Sequence, residues 1–130
     1  MTTNSTLAGA ASLAGRLLLA LIFLIEGWVK LSGYAGAVAY MQKFGLPGFL
    51  LPGALAVELV GGLMIAIGWQ TRLAALVLAG FCIVTALIFH TRLGETNELL
   101  HFLKDLAIAG GFLVLAANGA GALSLDGRQD

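Results

Sequence analysis

Four long apolar stretches, at residues 10–31, 50–68, 73–91 and 98–118, take up most of this chain of 130 residues. Each is close to the about 20 residues that an α-helix needs to cross about 30 Å of hydrocarbon. In lipid every backbone N–H and C=O must find its partner within the protein, which leaves helices or a closed barrel. Barrel strands are alternating segments of about 10 residues, and these stretches are too long and too uniformly apolar for that. The expected fold is therefore all-α: an antiparallel bundle of four transmembrane helices, one domain over residues 1–130, with both termini on one side. Composition agrees, since 59% apolar and 11% charged residues, with a mean hydropathy of +0.96, leave too few charges for a water-facing surface. Seven basic and seven acidic residues cancel. Nucleic acid is thus not an expected partner, whereas membrane lipid is. The single cysteine, Cys82, excludes an internal disulfide and sits where a packing role is expected.

The connections are short. Between the first two helices, Tyr34 to Phe44 sets Val38, Met41 and Phe44 against Gln42 and Lys43 before Gly45, Leu46, Pro47 and Gly48 break the chain. That pattern suits a short interfacial helix with a glycine stop, or an ordinary loop. A turn at Gly68 to Arg72 makes the second and third helices antiparallel neighbours, and Asn97 with Glu98 suits the start of the fourth. From Asn118 the chain is Gly- and Ala-rich, and the C-terminal tail, 119–130, ends in a polar Asp126 to Asp130 that is expected to be mobile. A signal-peptide reading of the first stretch, with Arg16 ahead of Leu17 to Ile25 and small residues at Ala35, Ala37 and Ala39, is disfavoured. Glu26 and Lys30 interrupt the run, and the start lacks basic residues.

Ionisable residues are the informative minority. A charge well inside a membrane helix costs about 2.5 to 3.5 kcal/mol on insertion scales, so each needs a partner, a water cavity or a route to the interface. At 100° per residue, Ser12, Arg16, Glu26 and Lys30 share one face of the first helix with Gly9 and Gly27. Glu58 is flanked on its own face by Ala54, Gly61 and Gly62, where small side chains admit a neighbouring helix, so it is expected to point into the bundle. Lys104 and Asp105 follow His101 by three and four residues and share its face, with Gly110 and Gly111 beyond. Chain direction places Glu26, Lys30, His90, His101, Lys104 and Asp105 in one leaflet, with Glu58 nearer mid-depth. A one-sided polar pocket follows. Lys30, Lys104 and Arg92 also suit snorkelling, Glu26 with Lys30 a local ion pair, Glu58 a structural acid, and His90 an interfacial position. No HxxH spacing supports a metal site, and none is expected.

Three segments carry a family resemblance: GRLLLALIFLIEGWVKL from Gly15, GLPGFLLPGALAVELVGGLMIAIGWQTRLAAL from Gly45, and FLKDLAIAGGFLVLA from Phe102. Together they resemble the DoxX family of small bacterial membrane proteins over about 105 of the 130 residues. Arg16, Gly27 with Lys30, Glu58 with Gly62, Gly68 with Arg72, and Lys104 match that family's polar and glycine positions. Asp105 departs from an Asn common among such proteins and adds an acid to the pocket. The resemblance implies the four-helix fold and a setting near quinones, because the family takes its name from a subunit associated with a terminal quinol oxidase. Relatives act in thiosulfate:quinone oxidoreduction, and others belong with membrane-associated oxidative-stress complexes.

On this reading the expected function is a quinone-binding, redox-linked subunit of the bacterial inner membrane. Glu26, Lys30, Glu58, His101, Lys104 and Asp105 are the candidate quinone-binding residues. The chain carries no electron carrier of its own, so a redox partner protein is implied. The alternative is an accessory subunit whose charges hold the helices together or dock another protein. A proton or small-molecule carrier is a third reading, for which four helices imply a homo-oligomer. Setting the pocket lysines aside, Arg16, Arg72 and Arg128 on the terminus side against Lys43 and Arg92 on the other favour cytoplasmic termini.

Overall fold

A computed structural model describes residues 3–90 and 94–129; Arg92, counted above for orientation, lies outside them. The described residues form α1 (Thr3–Ser32), α2 (Tyr34–Lys43), a 3-10 turn (Gly48–Leu50), α3 (Leu51–Ile67), α4 (Thr71–Phe89), α5 (Thr96–Asn118) and α6 (Leu125–Gln129). Four of these, α1, α3, α4 and α5, are long and apolar enough to span a membrane. The all-α, four-helix architecture is as the hydropathy requires. The short segment between the first two spans is helical, as α2. The first helix runs seven residues further towards the N-terminus than the apolar stretch alone indicates, because no proline interrupts Thr3 to Gly9 ahead of the apolar run.

The helices form two antiparallel pairs, α1 on α3 and α4 on α5, joined through α3 and α4. Lipid tails are as apolar as leucine, so close fit and not water exclusion drives this packing. The sequence supplies that fit through small residues. On α4, Ala74, Ala75, Ala79 and Ala86 are buried in a seam facing its neighbours. Gly27 admits Leu59, since a Cβ there would lie 2.5 Å from Leu59 Cδ2. Gly62 likewise faces Phe23 and Leu24, and Gly61 faces Leu78. The α1 to α5 contact is narrow: Leu19 lies against Gly111, and the Phe23 and Phe112 rings meet edge to face at 5.5 Å.

The end of the bundle near the termini is tied by the tail, which is folded and docked as far as Asp126. Arg16, 1% exposed, donates from Nη1 to the carbonyls of Ile65 and Ala66 at 3.1 Å each, and from Nη2 to that of Leu123. Ser12 Oγ donates to Ala120 O at 2.8 Å. The Asp126 amide donates to Gly68 O at 2.8 Å, and its carboxylate accepts from the amides of Gln70 and Thr71 at 2.9 Å each. Those amides are the orphan donors at the start of α4, so Asp126 caps the helix from a distance in sequence. Gly68, at φ 73°, must be glycine on two counts: the backbone is left-handed, and a Cβ there would strike Ser124 and lie 2.5 Å from Arg16 Nη1.

Candidate functional site

Away from that tied end the two helix pairs part. A cleft of about 970 Å³ lies between them, walled by all four spanning helices and by α2. Most of its lining is apolar, from Phe23, Val57, Phe81, Cys82 and Ile108 among others. Four ionisable residues interrupt it: Glu26 and Lys30 on one side, His90 and Asp105 on the other.

On the α1–α3 wall, Glu58 sits seven residues into α3, about 10 Å along its axis at 1.5 Å per residue. It is fully buried. Lys30 Nζ donates to both carboxylate oxygens at 2.8 Å. The lysine thus turns inward to its partner, which is the alternative to snorkelling. Glu26, one helical turn before Lys30, stands 4.0 Å from the same ammonium and is half exposed. Glu58 lies behind Lys30 and does not itself face the cleft. The pair is possible because Gly27 lets α1 and α3 approach closely beside it.

On the α4–α5 wall, His90 at the end of α4 faces two acids of α5. Its Nδ1 lies 3.2 Å from Glu98 Oε2, and its Nε2 lies 3.8 Å from Asp105 Oδ2. His101 stacks on the far side of the His90 ring at 5.4 Å between centroids. Of the candidate residues, the structure brings Glu26, Lys30 and Glu58 into one cluster and sets Asp105 on the opposite wall. His101 and Lys104 are exposed, and neither lines the cleft. Residue spacing placed all three α5 candidates on one face, but a face spans roughly a third of the helix and only its Asp105 edge turns inward. His90, read from sequence as interfacial, lines the cleft. Its signal was present in the pairing of a histidine at one helix end with Glu98 and Asp105 at the start of the next. Cys82 is buried, as expected, with its side chain on the cleft wall.

Among the described residues, every polar link in this leaflet stays within one helix pair. Lys30, Glu26 and Glu58 belong to α1 and α3; His90, Glu98, Asp105 and His101 belong to α4 and α5. No ion pair among the described residues crosses the cleft. Two walls therefore face each other across apolar space, each with one basic group beside two acids: Lys30 with Glu26 and Glu58, and His90 with Glu98 and Asp105. Such an arrangement can receive a flat molecule with polar atoms at both ends and an apolar extension.

Comparison with known proteins agrees with the fold and the membrane setting. The DoxX family matches residues 11–91. The chain is 46% identical to the inner membrane protein YqjF of Escherichia coli over 114 residues, covering 88% of each chain. It is 37% identical to the inner membrane protein YphA of the same organism over 123 residues, 89% of this chain and 88% of the relative. A shorter match, 31% identical over 64 residues and covering 49% of this chain and 48% of the relative, is to CatD of Bacillus subtilis, whose name marks it provisionally as an oxidoreductase. No solved structure matches.

Proposed function

This chain belongs to the DoxX family as a multi-pass inner-membrane protein, and on that premise we propose that it binds a quinone in the cleft as a redox-linked subunit. The observation that carries the reading is the cleft itself: about 970 Å³ of mostly apolar space in which ionisable walls face each other without bridging. The volume is near the upper end of ordinary ligand pockets, about 300 to 1,000 Å³. The donor set fits the group, since quinone oxygens accept hydrogen bonds and the Lys30 ammonium and a His90 N–H supply donors on opposite walls. The partial match to CatD supports a redox-linked role.

A quinone bound there would supply the redox chemistry, accepting two electrons from a partner protein and two protons. The chain's own residues orient and protonate. Lys30 presents an N–H held in place by Glu58, which fixes the ammonium's direction at the cleft wall. His90, between Glu98 and Asp105, is the group able to hold or pass a proton at its ring nitrogens. Glu26, half exposed and beside Lys30, is placed to exchange protons with that cluster. The cleft belongs to the leaflet opposite the termini.

A purified sample in nanodiscs, titrated with a short-tailed ubiquinone analogue and followed by thermal unfolding, tests this. The wild type should gain stability that rises with ligand concentration, while Glu58→Gln and His90→Ala should gain far less. A wild type unmoved by the ligand contradicts the proposal. The accessory reading rests on the Lys30–Glu58 pair as a lock between α1 and α3. It is favoured if the variants lower the melting temperature and the ligand shifts neither them nor the wild type.

A further inference from the structure

One open edge of the cleft lies along the membrane-spanning length of the bundle. On α1, Ile22, Ile25 and Val29 line the cleft and are also 39%, 49% and 61% exposed, so they form its rim. Ile108 on α5 lines the cleft on the facing side. Between these residues the two helices are not in close contact, since α1 meets α5 nearer the termini, around Leu19, Phe23 and Phe112. The wide end is crossed by a helix, α2, whose Tyr40 is itself 48% exposed. Ala37, Tyr40 and Met41 of α2 stand on the cleft wall. Tyr40 stacks on Phe89 of α4 at 5.4 Å, and Phe44 sets its edge against the same ring at 4.9 Å. Gly48 lets Val38 close in, since a Cβ there would lie 2.8 Å from Val38 Cγ1. An aromatic clasp thus joins the two helix pairs at that end.

We infer that the cleft loads sideways from the bilayer, through the gap between α1 and α5. Its ligand is then a membrane-dissolved amphiphile whose hydrocarbon chain remains beside Ile22, Ile25 and Ile108. The polar head passes inward to Lys30 and His90. Glu26 gives independent support: a half-exposed carboxylate at membrane depth is costly, and Lys30 already has its closer partner in Glu58. A polar residue at the rim lowers the barrier for a polar head crossing an apolar threshold. The inference rests on the cleft being a ligand site but not on the ligand being a quinone.

The test uses an acyl chain as the probe. Trp28 and Trp69, the chain's two tryptophans, are replaced by Phe, and a reporter is introduced by Phe81→Trp on the cleft wall. A second reporter, by Val57→Trp on the opposite wall, covers the case in which the first variant fails to fold. In vesicles of phosphatidylcholine with brominated acyl chains, the reporter should be quenched at least twofold more strongly than by aqueous iodide. Adding Ile22→Phe with Ile108→Phe should narrow the gap and at least halve the lipid quenching. Stronger quenching by iodide, or lipid quenching unchanged in the narrowed variant, overturns the inference. Failure of the quinone reading appears separately, as an absent thermal shift with the ubiquinone analogue, and leaves this result standing.

Discussion

Glu58 has no exposed surface and a single cationic partner, so its energetics depend on Lys30. Removing one member of a buried ion pair typically costs about 3 to 5 kcal/mol, and Lys30, a third exposed, places Lys30→Met at about 3 kcal/mol or less. Removing both, as Lys30→Met with Glu58→Leu, should recover most of that loss, because no uncompensated charge remains. Chemical unfolding in detergent reads the difference, and a double variant no more stable than the single one would show that the pair does not act as a unit. The burial of Glu58 was legible from Ala54, Gly61 and Gly62 around it, because small neighbours in a membrane helix mark an approach by another helix. The choice between snorkelling and pairing for Lys30 was not, because a flexible four-carbon stem reaches either way and only the rotation of α1 against α3 decides. Lys104 shows the same ambiguity resolved outward.

At the level of elements, the junction of α1, α3, α4 and the tail illustrates what local sequence hides. The four spans follow from hydropathy, but the docking of the tail depends on the left-handed backbone of Gly119 and Gly121, at φ 81° and 89°, which turns the chain back under the bundle. Composition there reads simply as flexible. Buried Arg16 was the available signal, since a guanidinium in a membrane helix must find acceptors and the carbonyls at the end of α3 and in the tail are what it finds. Partial burial pushes the Asp126 carboxyl up, but hydrogen bonds from Thr71 and Gln70 and the charge of Arg16 outweigh it and hold the group below its ordinary value. A carboxyl lowered in the folded state contributes stability that is complete above its unfolded pKa, about 3.9, and disappears as pH falls through the folded value. Asp126→Ala should cost about 1 kcal/mol at pH 7, typical of a lost helix cap, and should flatten stability against pH below about 4. Thermal unfolding at stepped pH reads both effects; an unchanged acid limb would contradict the cap's role. Gly27→Val should be more damaging still, because its side chain would force Leu59 aside and separate α1 from α3, with overpacking costs of about 1 to 3 kcal/mol and loss of the Lys30–Glu58 pair.

For the whole molecule, the organising fact is two helix pairs tied at one end and parted at the other. Hydropathy and chain direction gave the number of spans and put the polar residues in one leaflet. They did not reveal that the polar groups divide between two facing walls, because which residues of a face turn inward is set by packing across the bundle. The aromatic clasp of Tyr40, Phe44 and Phe89 links α2 to α4 across the wide end, where Phe89 also packs on the cluster of Met41, Leu51 and Leu55. Tyr40→Ala should therefore cost about 1 kcal/mol, the usual scale of an aromatic pair. It should also admit iodide to a tryptophan reporter at position 81, whereas unchanged shielding would place the barrier to water elsewhere.

The central claim, that the cleft holds a quinone, is tested most directly by purifying the protein in mild detergent, extracting it with organic solvent and identifying the co-purifying lipids by mass spectrometry, with Glu58→Gln treated in parallel. A quinone at near-stoichiometric level in the wild type, and its loss from the variant, is the expected result. Phospholipid alone in both samples, with the variant merely less stable, would contradict it and make the buried pair a structural lock.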